Sequence, residues 1–206
     1  MGQLWESGLR STNPLRGRVL RAAAARAVPL HRLWRGMKVS GRGYRIEALH
    51  PSAAREAVGY RRDNDHSVVL RLVHGKVRVL LASDLERRGE RELLRSGENL
   101  RAEVLRVPHH GSRTSSSWAF LRRVRPPAAV ISAGRPCRGH PSEKVVSRYR
   151  RLGAKIYRTD RDGAVRLWSD GKTYRLESAR RPGRRFEAKG EGMALTRVAA
   201  ERRRPD

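Results

Sequence analysis

The sequence predicts an α/β fold, and three observations carry that prediction. Residues 67–73 (SVVLRLV) and 76–82 (KVRVLLA) are β-rich and almost wholly apolar, and His74-Gly75 between them signals a hairpin. Beyond them, short apolar strands alternate with amphipathic helical segments as far as residue 158. Three further strand patterns close the readable part, punctuated by Asp162-Gly163 and Asp170-Gly171.

The elements follow in order. Residues 7–46 hold ten basic side chains and no acidic one. Asn13-Pro14 reads as a helix start, with Asn at the cap and Pro in the first turn. Leu15, Val19, Ala23 and Ala27 then recur at helical spacing until Pro29 ends the run. Such a helix either lies on nucleic acid or shows solvent a charged face. Gly36, Gly41 and Gly43 cut the next part into short pieces, read as a hairpin ending in strand 44–49.

In the middle, Asp84 stands where the second strand of the SVVLRLV/KVRVLLA hairpin ends. Residues 86–96 read as a helix closed by Gly97, and strand 103–107 delivers Pro108-His109-His110-Gly111-Ser112. Ser115 or Ser116 is placed to cap a helix carrying Trp118, Phe120, Leu121 and Val124, ended by Pro126-Pro127. Strand 128–132 leads through a Gly/Pro-rich loop to Gly139-His140-Pro141. Ser142 is expected to cap a helix with Val145, Val146, Tyr149 and Leu152 on one face and Gly153 as its stop. Strands 155–158, 164–168 and 173–177 complete the pattern. From Ala179 the periodicity dissolves, and 179–206 reads as a disordered basic tail. The chain thus divides into a basic segment (1–52), a main body (53–178) and the tail.

Lys and Arg total 47 against 20 Asp and Glu, a formal net charge of +27 with a pI near 11.7. A polyanion such as DNA is the natural partner of that charge. The other reading is an arginine-rich composition with no binding role, since the arginines are spread through every segment. The lone Cys137 excludes an intrachain disulfide and a cysteine-rich zinc site. No apolar run approaches the ~20 residues of a membrane span, and the N-terminus has no signal-peptide core, so the chain alone is expected to be soluble or cytoplasmic. Mean hydropathy is −0.71, low for a compact domain.

Asp84, His109, His110 and His140 share one setting: each follows an apolar strand. In an α/β sheet the loops beyond the strand C-termini gather at one edge, where ligands bind. A carboxylate and two or three imidazoles there make an O/N donor set for zinc or manganese, and imidazoles can also act as acid and base on a phosphate. His109 and His110 are the candidate catalytic residues, and Asp84 and His140 the candidate metal ligands. Ser112, Arg113, Thr114 and Ser115 are candidate substrate contacts. Taken singly, Asp84 also fits a helix N-cap and His140 an ordinary loop residue. His31, His50, His66 and His74 are read as structural or surface.

The ordered strings NDHSVVL (64–70), LASDL (81–85), VPHHGSRTS (107–115), ISAG (131–134), GHP (139–141) and YRTDRDG (157–163) resemble the metallo-β-lactamase-fold domain of ComEC-type competence proteins, which internalise DNA in natural transformation. WESGLRS (5–11) and LHP (49–51) fit the same family. The resemblance implies a metallo-β-lactamase-like αββα fold and a binuclear metallohydrolase acting on the DNA strand that is not imported. By it, Asp84 bridges metals, His140 ligates metal or contacts phosphate, and the His109-His110 pair completes the site. Two departures qualify this. The family's HxHxDH string is absent, and Ser83 stands where glycine precedes the aspartate. The resemblance therefore covers only the C-terminal part of the domain, and the chain is expected to be inactive alone. A membrane-bound upstream half is the expected partner, as the family's domain is attached to the inner membrane. A non-catalytic, basic nucleic-acid-binding module and a truncated gene product remain as alternatives.

Overall fold

In the computed structural model, residues 2–7, 14–53, 63–134, 139–181, 183 and 185–190 are described. Asn13 and Cys137 lie outside them. So does residue 191 onward, most of the expected tail.

A seven-stranded mixed sheet organises the chain, with strands in spatial and sequence order: β3 (Lys38–Gly41), β4 (Tyr44–His50), β5 (Val69–His74), β6 (Val77–Leu81), β7 (Val104–Arg106), β8 (Ala128–Ile131) and β9 (Lys155–Arg158). From β3 to β6 the pairs are antiparallel hairpins, and from β6 to β9 they are parallel. Parallel neighbours need crossovers, and three helices supply them: α2 (Arg87–Arg95), α3 (Trp118–Val124) and α4 (Glu143–Arg151). The expected α/β class is therefore correct. Strands on both sides of residue 52 belong to this one sheet, since β4 pairs with β5.

Period-2 alternation explains how the sheet is buried on both faces. Leu80, Leu105, Ala129 and Ile131 point toward the helices, where Leu93, Phe120, Leu121, Val124, Val145, Val146 and Tyr149 close a fully buried core. Val77, Val79, Val104 and Ala128 point the other way, onto a three-stranded antiparallel sheet. That sheet is β10 (Val165–Ser169), β11 (Thr173–Ser178) and β12 (Arg185–Lys189), and it contributes Tyr174, Leu176 and Phe186. The layers are helix, sheet, sheet.

Several expectations need correction. The reading of everything past Ala179 as tail fails at β12, which extends the second sheet. Its apolar content is only Phe186 and Ala188, too sparse to stand out until β11 supplies a partner edge. Leu4–Glu6 (β1) and Leu30–Arg32 (β2) form a small parallel pair that no periodicity announced. Helix α1 (Pro14–Ala24) exists as expected but buries no residue, and Leu15 and Val19 are exposed. Ser117, not Ser115 or Ser116, caps α3 by accepting from Phe120 N–H at 3.3 Å. Ser142 occupies the N-cap of α4 without a side-chain cap bond, and its carbonyl accepts from Val145 and Val146 instead.

Candidate functional site

The parallel strands all end on one edge of the sheet, and the polar residues gather there. Asp84 follows β6, the His109-His110 pair follows β7, and His140 lies in the loop after β8. Asp84 is not a helix cap, since Glu86 occupies the N-cap of α2. Its side chain is 42 % exposed, at the mouth of this edge.

A strained backbone presents the histidines. His109 (φ 47°, ψ 44°) and His110 (φ 53°, ψ 22°) occupy the left-handed region in succession, and Gly111 follows at φ 81°. Non-glycine residues enter that region at a cost of about 1–2 kcal/mol each. Such strain persists where surroundings over-determine it. Here His109 N–H donates to the Ser83 carbonyl at 2.9 Å, and the Ser112 N–H returns to the His109 carbonyl at 2.8 Å. Glycine at 111 is required twice over, because a Cβ would also meet the Pro141 Cβ at 2.7 Å. That close approach brings the His140-Pro141 loop against the pair.

The resulting contacts are specific. His110 Nδ1 lies 2.6 Å from the Ser132 carbonyl, and its Nε2 lies 3.6 Å from Asp84 Oδ1. His109 Nδ1 lies 3.1 Å from Glu86 Oε1, off the line of a hydrogen bond. Glu86 Oε1 also accepts from Asn64 Nδ2 at 3.2 Å. The His109 and His140 rings sit 5.7 Å apart, and His140 Nδ1 is buried with no hydrogen-bond partner among the described residues. Arg106 donates to the Ser83 carbonyl at 2.8 Å and stands 4.0 Å from Asp84 Oδ1.

The four residues expected at the site are thus brought to one edge, where Asp84 faces His110, the unexpected Glu86 faces His109, and His140 lies beside His109. Among the described residues no three His, Cys, Asp or Glu side chains converge so as to hold a metal ion. A catalytic zinc site takes three protein ligands and a water, so the donors present do not by themselves fit the zinc or manganese centre that the resemblance implied. What such donors offer chemically is hydrogen bonding to an anion from imidazole and guanidinium N–H groups.

The hydroxyl residues divide differently from the expectation. Ser115 is fully buried, and its hydroxyl lies 3.0 Å from both the Pro108 and the Ser112 carbonyls. Ser112 is also buried, with its hydroxyl 2.9 Å from that of Thr114. Both hydroxyls secure the loop from within, and of the group only Arg113 is exposed, with Thr114 half-buried. Behind them Glu90, buried, accepts from the Ser116 N–H and from the Ser117 N–H at 2.9 Å, while Ser116 Oγ and Tyr149 Oη are 3.0 Å apart. Burial pushes the Glu90 carboxyl above the usual range, against the opposing pull of the Ser117 and Ser116 hydrogen bonds and Arg148.

Sequence reasoning missed Glu86, Glu90 and Arg106. Glu86 stands two residues after Asp84 in LASDLE, and that spacing was the available signal. Glu90 had none, because an interior glutamate on a helix ordinarily faces water. Of the remaining histidines, His31 packs on Trp5 with ring centroids 5.7 Å apart, His50 is buried, and His74 lies 3.2 Å from Ser169 Oγ.

No family model matches the chain. Curated relatives do. The chain is 33% identical over 155 residues to ComE operon protein 3 of Bacillus subtilis, covering 75% of this chain and 20% of that protein. It is 42% identical over 127 residues to competence protein ComA of Neisseria gonorrhoeae, covering 61% and 18% respectively. It is 36% identical over 137 residues to recombination protein 2 of Haemophilus influenzae, covering 65% and 17%. The chain spans about a fifth of the length of these relatives. Among the described residues no helix is long and apolar enough to cross a membrane. Matched at these identities to three such proteins, and carrying the HHGS pair where its strands converge, the chain is a homologue of one part of the ComEC-type competence proteins.

Proposed function

We propose that this chain is a DNA-handling part of a competence-type protein, and that it contributes Asp84, His109, His110 and His140 to a phosphodiester-hydrolysing centre completed by groups from outside the described residues. The observation that carries this reading is the placement of those four residues at the C-terminal ends of β6, β7 and β8, with the histidine pair on a strained loop. The helix–sheet–sheet layering supports a metallo-β-lactamase-like domain, and the net charge of +27 supports a polyanionic substrate. On this reading Arg106 and the imidazoles hold the phosphate. The carboxylates orient the imidazoles, as carboxylate partners do for metal-ligating histidines. Metal-dependent hydrolysis needs further ligands.

The test combines three measurements on the purified chain: binding of a labelled single-stranded oligonucleotide across a salt series, calorimetric titration with zinc or manganese, and a cleavage assay. The reading expects DNA binding that weakens steeply with salt, metal binding no tighter than about micromolar, and no cleavage by the chain alone. Absence of DNA binding at about 100 mM salt overturns DNA handling. Tight stoichiometric metal with cleavage that Asp84→Ala abolishes overturns the incomplete centre. DNA binding that survives His109→Ala and His110→Ala unchanged favours the basic, non-catalytic module instead.

A further inference from the structure

Among the described residues, the second face of the large sheet is not covered along its whole length. Val79 of β6 lies under the three-stranded sheet and is 8% exposed, whereas Leu81, two residues on and on the same face, is 38% exposed. Register places Leu81 beside Leu70 on β5 and beside Arg106 on β7. A row Leu70–Leu81–Arg106 therefore crosses three adjacent strands at the uncovered end, running from apolar to cationic. Trp5 of β1, the buried Leu33 and His66 line the same groove as this row. Together they bound an open groove of about 530 Å³. At its cationic end Arg106 reaches the Ser83 carbonyl and Asp84, so the groove opens directly onto the candidate site.

We propose that this groove is a subsite for one unpaired nucleotide of a DNA single strand, with its base against Trp5 and the Leu70–Leu81 row and its phosphate on Arg106. The proposal rests on the DNA-handling reading above and deepens it. Three features select this occupant. The groove falls within the ~300–1,000 Å³ of small-molecule pockets. An indole wall with an arginine at one end is the combination by which proteins hold unpaired bases and their backbone. Glu6, which also lines the groove, is neutralised by Arg16, whose Nη2 donates to its Oε1 at 2.9 Å. A base paired in a duplex is stacked on both faces and cannot enter, so the subsite selects single strands. The strand then continues from Arg106 toward His110.

The experiment measures, by fluorescence anisotropy at one fixed salt concentration, the affinity of a short labelled oligothymidylate, its abasic counterpart of equal length, and a duplex. Trp5→Ala is expected to weaken oligothymidylate binding about tenfold and to leave abasic binding unchanged. Trp5→Leu, which keeps the apolar wall and removes the aromatic face, is expected to do the same. Trp5→Phe is expected to stay within about threefold of the parent. Arg106→Gln is expected to weaken both single strands. Oligothymidylate binding unaffected by Trp5→Leu, or an equal loss on the abasic strand, overturns the subsite while leaving DNA handling intact, and points to a polypeptide as the groove's cover. A parent chain that binds none of the three nucleic acids overturns both.

Discussion

His110 is held between two oxygens: its Nδ1 lies 2.6 Å from the Ser132 carbonyl and its Nε2 lies 3.6 Å from Asp84 Oδ1. A carbonyl can only accept, so the Nδ1 hydrogen is assigned by its partner. With that hydrogen on Nδ1, Nε2 faces the Asp84 carboxylate, and the ring is oriented from both sides.

The first prediction follows from that pairing. Asp84→Asn and His110→Gln are both expected to change DNA affinity, and a double-mutant cycle is expected to show the two effects to be non-additive. Both side chains are 42% exposed, so each substitution is expected to shift stability by less than about 0.5 kcal/mol. Anisotropy titrations and urea melts of the three variants check both statements.

The second concerns the strained loop. His110 sits at φ 53° beside His109 at φ 47°. Glycine adopts this region without the Cβ clash, so His110→Gly is expected to be more stable than His110→Ala by about 1 kcal/mol. DNA affinity is expected to fall equally in both. Equal stability of the two variants would remove the argument that the loop stores strain.

Glu90 supports the third. Its carboxylate accepts from two backbone N–H groups at the start of α3, in a fully buried position. Glu90→Gln keeps one acceptor and turns an amide donor toward the other N–H. It is expected to cost about 1–3 kcal/mol, the penalty of an unsatisfied buried donor. Burial raises the folded-state pKa of Glu90 above its unfolded value. The associated stability is therefore present in full below the unfolded pKa and is lost as pH rises through the folded one. Glu90→Gln is expected to lose this declining component, which urea midpoints measured from pH 4 to 7 resolve.

The fourth runs in the opposite direction. His50 is fully buried, its Nδ1 lies 2.8 Å from the Ser67 carbonyl, and Glu92 Oε2 is 3.9 Å from its Nε2. Burial holds its pKa below the ordinary imidazole range, with the Ser67 bond and Glu92 opposing and Arg35 assisting. The unfolded chain therefore binds this proton first. Stability is full above the unfolded pKa of about 6.5 and declines as pH falls toward the folded value. His50→Gln is expected to flatten the curve between about pH 5 and 7 after a uniform loss. A parent chain whose urea midpoint is level across that range would contradict the assignment.

Legibility in the sequence follows the physics of each element. Strands β5 and β6 were readable because their apolar runs are nearly continuous, although β5 fully buries only Val69, and β7, β8 and α4 because core-facing residues recur at a fixed period. The HHGS loop was readable because two adjacent histidines before a glycine have no packing rationale. Strand β12 and the β1–β2 pair were not, since each takes its stability from a neighbouring strand rather than from its own pattern. Caps were misplaced by one or two residues in a run of three serines, where only the backbone turn at Ser116 (φ 57°) decides which hydroxyl meets the helix.

The sequence by itself determined the fold class, the strand-end location of Asp84, His109, His110 and His140, and the likeness to competence proteins. These are properties of local pattern and spacing. Only the tertiary structure decided which side chains meet: that His110 pairs with Asp84 and His109 with Glu86, that Ser112 and Ser115 turn inward, and that Leu70, Leu81 and Arg106 line up across three strands beside Trp5. Those juxtapositions depend on strand register and on which part of a sheet face the second layer leaves bare, and both are settled by contacts between segments far apart in the chain.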